Sequence, residues 1–437
     1  MAKLGPKYTG NKAHTDFVEF LATEFQKAGL ELTRDHFKFT RWDAKRCGIK
    51  VTPSSGKSFE VPYTSYYPYS GQTPSSGVTG ELVYGGTSAE IKLPDNVQGK
   101  IVFLESPVKP MPYSEWYSVL GAYEKDTPLP ESNMGAINQL LAAPLLAPFK
   151  KAGAAGVIIA WTNVSDENAA YQYTPFSRPL QEMPTLWVGR SQAAKLRSLA
   201  VTGAKCTLTL EADLVPDTPT DALVATLPGS SSDEVLIVNT HTDGPNATEE
   251  NGALGCLALA KYFAKLPKSE RKRTCVFVLA TGHFCLPYVQ SIAGFIKNHP
   301  DIIKKTVGAL TIEHLGAREW KDDAKGVYRA TGKDELSLVI TNHQSTADAM
   351  TGGAEGTMDR RLLAVKPKTG PFFGEGGALS RAGIPTIGYI PLPDYLLAGP
   401  PDCYIGKLSP TLLNGQIQAL AKVVHRMDVM PADQLKS

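Results

Sequence analysis

The sequence predicts an α/β fold: a mixed, mostly parallel sheet covered by helices on both faces, carrying an inserted β-rich module. Three observations predict it. In the second half, uniformly apolar runs such as "EVLIVNT" and "CVFVLAT" alternate with segments of helical period such as "NGALGCLALAKYFAKL", and strands apolar at every position belong to sheets buried on both faces. From about residue 77 to 212 the character changes to short strands and turns. Two Pro/Ser-rich tracts, "VPYTSYYPYSGQTPSSGVTGEL" and "VPDTPTDALVATLPGSSSDE", bracket that stretch. Residues 1–65 and 215–437 are therefore assigned to the main domain and 66–214 to the insertion, and 437 residues suit two domains.

The elements follow in order. Phe17, Phe20, Leu21, Phe25 and Leu30 recur near helical spacing, which predicts an amphipathic helix stopped at Gly29. The tyrosine-rich tract after it reads as a linker. Within the insertion, "GKIVFLESPV" reads as a strand and "PFKKAGAAGVIIAWTN" as a helix end followed by a buried strand. "MPTLWVG", "RSQAAKLRSLAVTG" and "KCTLTLEADL" read as strand, helix and strand. Beyond residue 234 come the strands "EVLIVNTHTD", "RTCVFVLATG", "VGALTIEHLG" and "GIPTIGYI" with helices between them, and "SPTLLNGQIQALAKVVHRM" closes the chain as a helix.

Bulk composition excludes some functions. Lys plus Arg (45) nearly balance Asp plus Glu (43), a formal charge of +2 with no basic stripe, so no nucleic-acid partner is expected. No apolar run approaches the roughly 18 residues a membrane helix needs. The N-terminal "MAKLGPKYTGNKAHTDF" has no apolar core of a secretory leader, and the expectation is a cytoplasmic chain unless a leader was trimmed. The six cysteines show no metal-ligand spacing and are expected to be unpaired. Signatures of serine hydrolases, Walker loops, H-E-x-x-H and dinucleotide-binding loops are lacking.

The chemistry gathers at strand ends, where open α/β sheets bind ligands. "LIVNT" ends on His241-Thr242-Asp243, "VFVLATG" on His283-Phe284 and "GALTI" on Glu313-His314, while Glu249 and Glu250 start the next helix. A lone strand-end histidine is ordinarily a hydrogen-bonded structural residue, and an acidic pair at a helix start needs no ligand. Three such ends in one sheet point instead to a shared centre. His241, Glu250 and Glu313 offer one nitrogen and two oxygens, a three-ligand set for Zn²⁺ that leaves a fourth position for water. Asp243 is placed to hold the other imidazole nitrogen of His241. His314 is expected to face away from Glu313, since neighbours in a continuing strand alternate.

The stretches "THTDGPNATEENG", "RTCVFVLATGHF", "GALTIEHLG" and "LSRAGIPTIGY", with the N-terminal "LGPKYTGNKAHTDFVEFLATEFQKAGL", resemble the M28 family of metallopeptidases, the di-zinc aminopeptidase group. The insertion, with "GKIVFLE" and "KKAGAAGVIIAW", resembles the protease-associated domain. The resemblance implies that His241 and Asp243 keep the family's His-x-Asp. The metal-bridging Asp falls on Glu250 and the next ligand on Glu313. The Glu-Glu pair, base and second-metal ligand, falls on His283-Phe284. The last histidine ligand falls on Gly376 and the Asp before it on Glu375. Phenylalanine and glycine cannot coordinate zinc, so one ion per chain is expected rather than two. His283 becomes the proton shuttle, an imidazole suiting proton transfer near neutrality, or alternatively a metal ligand, and Glu375 a further catalytic residue.

Three functions compete on this reading. The leading one is a single-metal hydrolase of an amide or peptide-like bond, acting on a peptide-like or small-molecule substrate. The second is the same fold turned to lyase, cyclase or transferase chemistry, and the third a catalytically silent binding protein. The resemblance of the insertion to a protease-associated domain implies that residues 112–125 and 169–180, with their tyrosines and tryptophan, border the cleft as lid or pocket walls.

Overall fold

Two long strands join the parts of the chain. The computed structural model describes residues 2–437 apart from 125–127, 134, 139–142, 232 and 287. In it, Glu31–Thr52 and Lys205–Leu227 pair antiparallel along their whole length as a ribbon. The expected boundary at residues 215–234 is thus a strand as far as Leu227. Pro216 is tolerated because it and Asp217 fall in a register shift opposite Phe39 and Arg41, with Asp217 at φ 53°. Such bulges absorb residues that cannot pair.

The ribbon strand Lys205–Leu227 belongs to both halves of one continuous sheet. Its first half pairs with Val78–Thr87, beyond which Ile101–Ser106, Gly156–Trp161 and Thr185–Val188 follow in parallel, with Ser65–Tyr66 at the edge. Its second half pairs with Thr274–Ala280, followed in parallel by Val235–His241, Thr306–Ile312 and Thr386–Tyr389. Ser337–Thr341 then runs antiparallel, and Leu362–Pro367 parallel to it. The far edge is closed by Tyr117–Ala122, which comes from within the expected insertion 66–214, so that segment reaches both ends of the sheet. Lys125, at the end of the expected 112–125 wall, lies outside the described residues.

Alternation along the central strands feeds two cores. Leu236 and Val238 face one with Phe25, Phe263 and Val423, while Val235 and Ile237 face the other with Ile292, Phe295 and Leu379. Both faces are covered, which is why every residue of Val235–His241 is buried. Helix Lys12–Lys27 starts where Asn11 caps the His14 N–H, and it buries Phe17, Leu21 and Phe25. Phe20, expected on the same face, is 48% exposed. The tyrosine-rich tract is more than a linker, because Tyr67 and Tyr69 are core residues. Cys256 and Cys275 are free buried thiols in the first core. Among the described residues no helix is long and apolar enough to cross a membrane.

Candidate metal centre

The three parallel strands around Val235–His241 end at one crevice. His241 is the last residue of its strand, His283 opens the turn after Thr274–Ala280, and Glu313 and His314 follow Thr306–Ile312. Glu249 comes from the loop before helix Gly252–Ala264, and Glu375 from the N-terminus of Gly376–Arg381. His241, Glu249, Glu313 and His314 are all at most 3% exposed.

Their polar atoms form two groups compact enough for an ion: His241, Glu313 and His314, and His241, Glu249 and His283. In the first, Glu313 Oε2 lies 3.8 Å from His241 Nε2 and 3.6 Å from His314 Nε2. In the second, Glu249 Oε1 lies 4.0 Å from His241 Nε2 and 3.8 Å from His283 Nε2. The rings of His241 and His283 stack, with centroids 4.1 Å apart.

Hydrogen bonds at the outer edges fix the tautomers. His241 Nδ1–H donates to the Asp243 carbonyl (2.7 Å) and His314 Nδ1–H to the Pro391 carbonyl (2.7 Å). Both Nε2 atoms therefore point into the crevice, where that of His241 has no hydrogen-bond partner. His314 Nε2 sits 2.9 Å from Glu249 Oε2, an ion pair when the ring is protonated. An unmet buried acceptor costs about 1–3 kcal/mol, and a cation beside it removes that cost. Imidazoles backed by carbonyls are what zinc sites use, so the residues present fit the ion.

The sequence-predicted residues land unevenly. His241 and Glu313 are in the cluster, but Glu250 is not. Its carboxylate turns away to the Lys7 ammonium, 2.5 Å distant, and Glu249 takes the place in the crevice expected of it. Asp243 backs His241 through its main-chain carbonyl rather than its side chain. That carboxylate accepts hydrogen bonds from Thr9 Oγ1 and the Phe284 N–H. His283 and Glu375 do meet, Nδ1 to Oε1 at 2.8 Å, and the Glu375 N–H also donates to Glu313 Oε1 at 2.8 Å. His314 joins the cluster instead of facing away. It adopts φ 58°, so the strand has ended and the alternation with Glu313 is broken. Gly316 two residues later, also at positive φ, was the available signal. Nothing local pointed to Lys7.

Burial works against a charged His283, yet the Glu375 hydrogen bond and charge, with Glu249 and Glu313, raise its pKa to about 10. For His314, too, burial is outweighed by Glu249 and Glu313, and its pKa rises. Burial alone would raise Glu249, but His314, His241 and His283 bring it below the usual range. The site thus demands positive charge, from protons or from a metal ion, and a bound cation would lower both imidazoles. A cavity of about 100 Å³ opens beside the cluster, with Phe176, Phe373, Ile390, Leu392 and Leu397 on its apolar side. Phe176, from the expected wall 169–180, places its ring 5.1 Å from that of His283.

No protein-family model and no curated protein sequence matches the chain. Solved structures do. The chain is similar to a peptidase M28 precursor from Shewanella amazonensis SB2B (TM-score 0.68, 16% identity, 98% of this chain and 90% of that one). It is also similar to the zinc aminopeptidase BSAP of Bacillus subtilis (TM-score 0.63, 14% identity, 98% and 93%). A third is an aminopeptidase from Aneurinibacillus sp. strain AM-1 (TM-score 0.61, 16% identity, 97% and 90%). The fold is therefore M28-like.

Proposed function

We propose that the chain is a hydrolase of amide or peptide-like bonds working with a single zinc ion held by His241, Glu313 and His314. The observation that carries this reading is the gathering of two buried imidazole Nε2 atoms and a carboxylate at one point, the Nε2 of His241 lacking any hydrogen-bond partner. The M28-like fold of the chain supports it.

A zinc ion in such a three-ligand site supplies Lewis-acid chemistry, polarising a carbonyl and lowering the pKa of water. Glu249, grouped with His241 and His283 rather than with Glu313, is the general base. It takes a proton from the attacking water as the water oxygen bonds to the carbonyl carbon, and returns it to the departing amine as the C–N bond breaks. His283, charged against Glu375, donates from Nε2 to the oxygen on which negative charge develops. The apolar wall around Phe176 and Leu397 excludes water and takes up an apolar group next to the scissile bond.

Elemental analysis of the protein offered zinc, together with turnover of a panel of amide substrates, tests the proposal. One ion per chain, lost in His314→Ala, and chelator-sensitive hydrolysis are expected. No bound ion, two ions, or hydrolysis indifferent to chelator would overturn it.

A further inference from the structure

Lys7 is fully buried and so is its partner Glu250, 243 residues away in sequence. Taking both charges out of water costs several kcal/mol per ion, and well-packed apolar pairs of the same volume are often as stable or more so. Stability alone therefore does not account for the pair, and its place in the fold does.

Residues 244–250 form the loop that carries Glu249, and Lys7 touches both of its ends. At the first, the Lys7 N–H donates to the Gly244 carbonyl (2.8 Å) and the Gly244 N–H to the Lys7 carbonyl (2.9 Å). At the second, the ammonium donates to Glu250 Oε1 and to the Gly5 carbonyl (3.0 Å). Glu250 Oε2 has no hydrogen-bond partner, so Lys7 supplies that carboxylate's neutralising charge. The far side of the loop is fixed by Asn246, whose Nδ2 donates to the carbonyls of Tyr395, Leu396 and Ala398. The residues after Lys7 extend the contact. Thr9 binds the Asp243 carboxylate, and the Tyr8 ring stacks on Tyr173 with centroids 4.4 Å apart.

We infer that Lys7 is a positioning residue for the proposed metal centre: it closes the 244–250 loop from both ends, aims Glu249 into the crevice and keeps Glu250 out of it. The N-terminal strap 5–9 is then a clamp on the loop that presents Glu249. This rests on the zinc reading above. Without the ammonium the Glu250 side chain loses the partner that holds it away from the crevice, and the loop that presents Glu249 loses one of its two anchors.

The test is zinc affinity, measured by competition with a chromophoric chelator, in wild type, in Lys7→Met/Glu250→Met and in Lys7→Gln. The double variant removes both charges and keeps the volume, while Lys7→Gln keeps a donor to Glu250. The double variant is expected to melt within a few degrees of wild type and Lys7→Gln, which leaves Glu250 buried without its counter-charge, clearly lower; both are expected to bind zinc about 10–100-fold more weakly, the range for groups that orient ligands without touching the metal. Wild-type affinity in either folded variant would overturn the inference and leave the zinc site standing. A wild-type protein that binds no zinc would overturn both.

Discussion

Gly374 is where the smallest side chain would do the most damage to the site. It lies at φ +70°, and a Cβ built there would overlap Glu313 Oε1 while standing 2.8 Å from Oε2 and 2.7 Å from Ile390 Cδ1. Holding alanine in that left-handed conformation costs about 1–2 kcal/mol. The clash is relieved only by moving Glu313, because Ile390 is buried in the apolar wall. A shift of about half an ångström takes the carboxylate off its hydrogen bond to the Glu375 N–H and out of line with His241 and His314. Gly374→Ala is therefore expected to lower stability by about 1–2 kcal/mol and zinc affinity by about 10–100-fold. Urea unfolding of the metal-free protein reads the first effect and calorimetric zinc titration the second. Reduced stability with unchanged zinc affinity would refute the placement of Glu313 as a ligand.

Other perturbations separate the remaining roles. Glu249→Gln is expected to cost about 10²–10⁴-fold in turnover while the protein still retains its zinc, as steady-state rates beside metal analysis will show; loss of the metal instead would make Glu249 a ligand. Asp394 is buried, and burial, helped by Glu335, raises its pKa to about 7. The folded state therefore binds more protons than the unfolded one between about pH 4 and 7, and stability falls across that window as pH rises. Asp394→Asn should remove up to about 4 kcal/mol of that penalty at pH 8 and leave stability at pH 4 nearly unchanged, which melting curves at the two pH values check. Phe25→Ala, in the core beneath the N-terminal helix, should cost about 3–5 kcal/mol in denaturant unfolding; a loss under 1 kcal/mol would show that the core there collapses on the gap.

What the sequence revealed about the site divides along physical lines. The strand ends were legible because uninterrupted apolar runs stopping at His241, Ala280 and Ile312 can only be buried strands, and the first charged residues after them fall at one edge of the sheet. The choice between Glu249 and Glu250 was not legible. Two neighbouring glutamates have the same local signature, and the difference is made by Lys7, brought to Glu250 by tertiary folding. His314 departs from strand alternation because the strand ends two residues before it, at Ile312, and its own backbone has turned to positive φ. Phe20 was misplaced for a related reason: helical spacing defines a broad stripe, and its edge faces water here. The Pro-rich tract at 215–227 reads as a boundary from composition, whereas a two-stranded ribbon with a bulge accommodates Pro216 and Pro219.

The excursion of Tyr117–Ala122 to the far edge of the sheet limits how this architecture can be altered. A cassette that leaves and re-enters its host at one place can be exchanged, lost or shortened without the host noticing. Here the intervening chain buckles the sheet shut from the opposite side. Removing it would strip Leu362–Pro367 of its outer partner and open a strand whose first four residues are buried to pairing with another molecule. The segment between residues 66 and 214 is thus tied to both ends of the sheet in the manner of a belt, and variants that lose Tyr117–Ala122 are expected to self-associate.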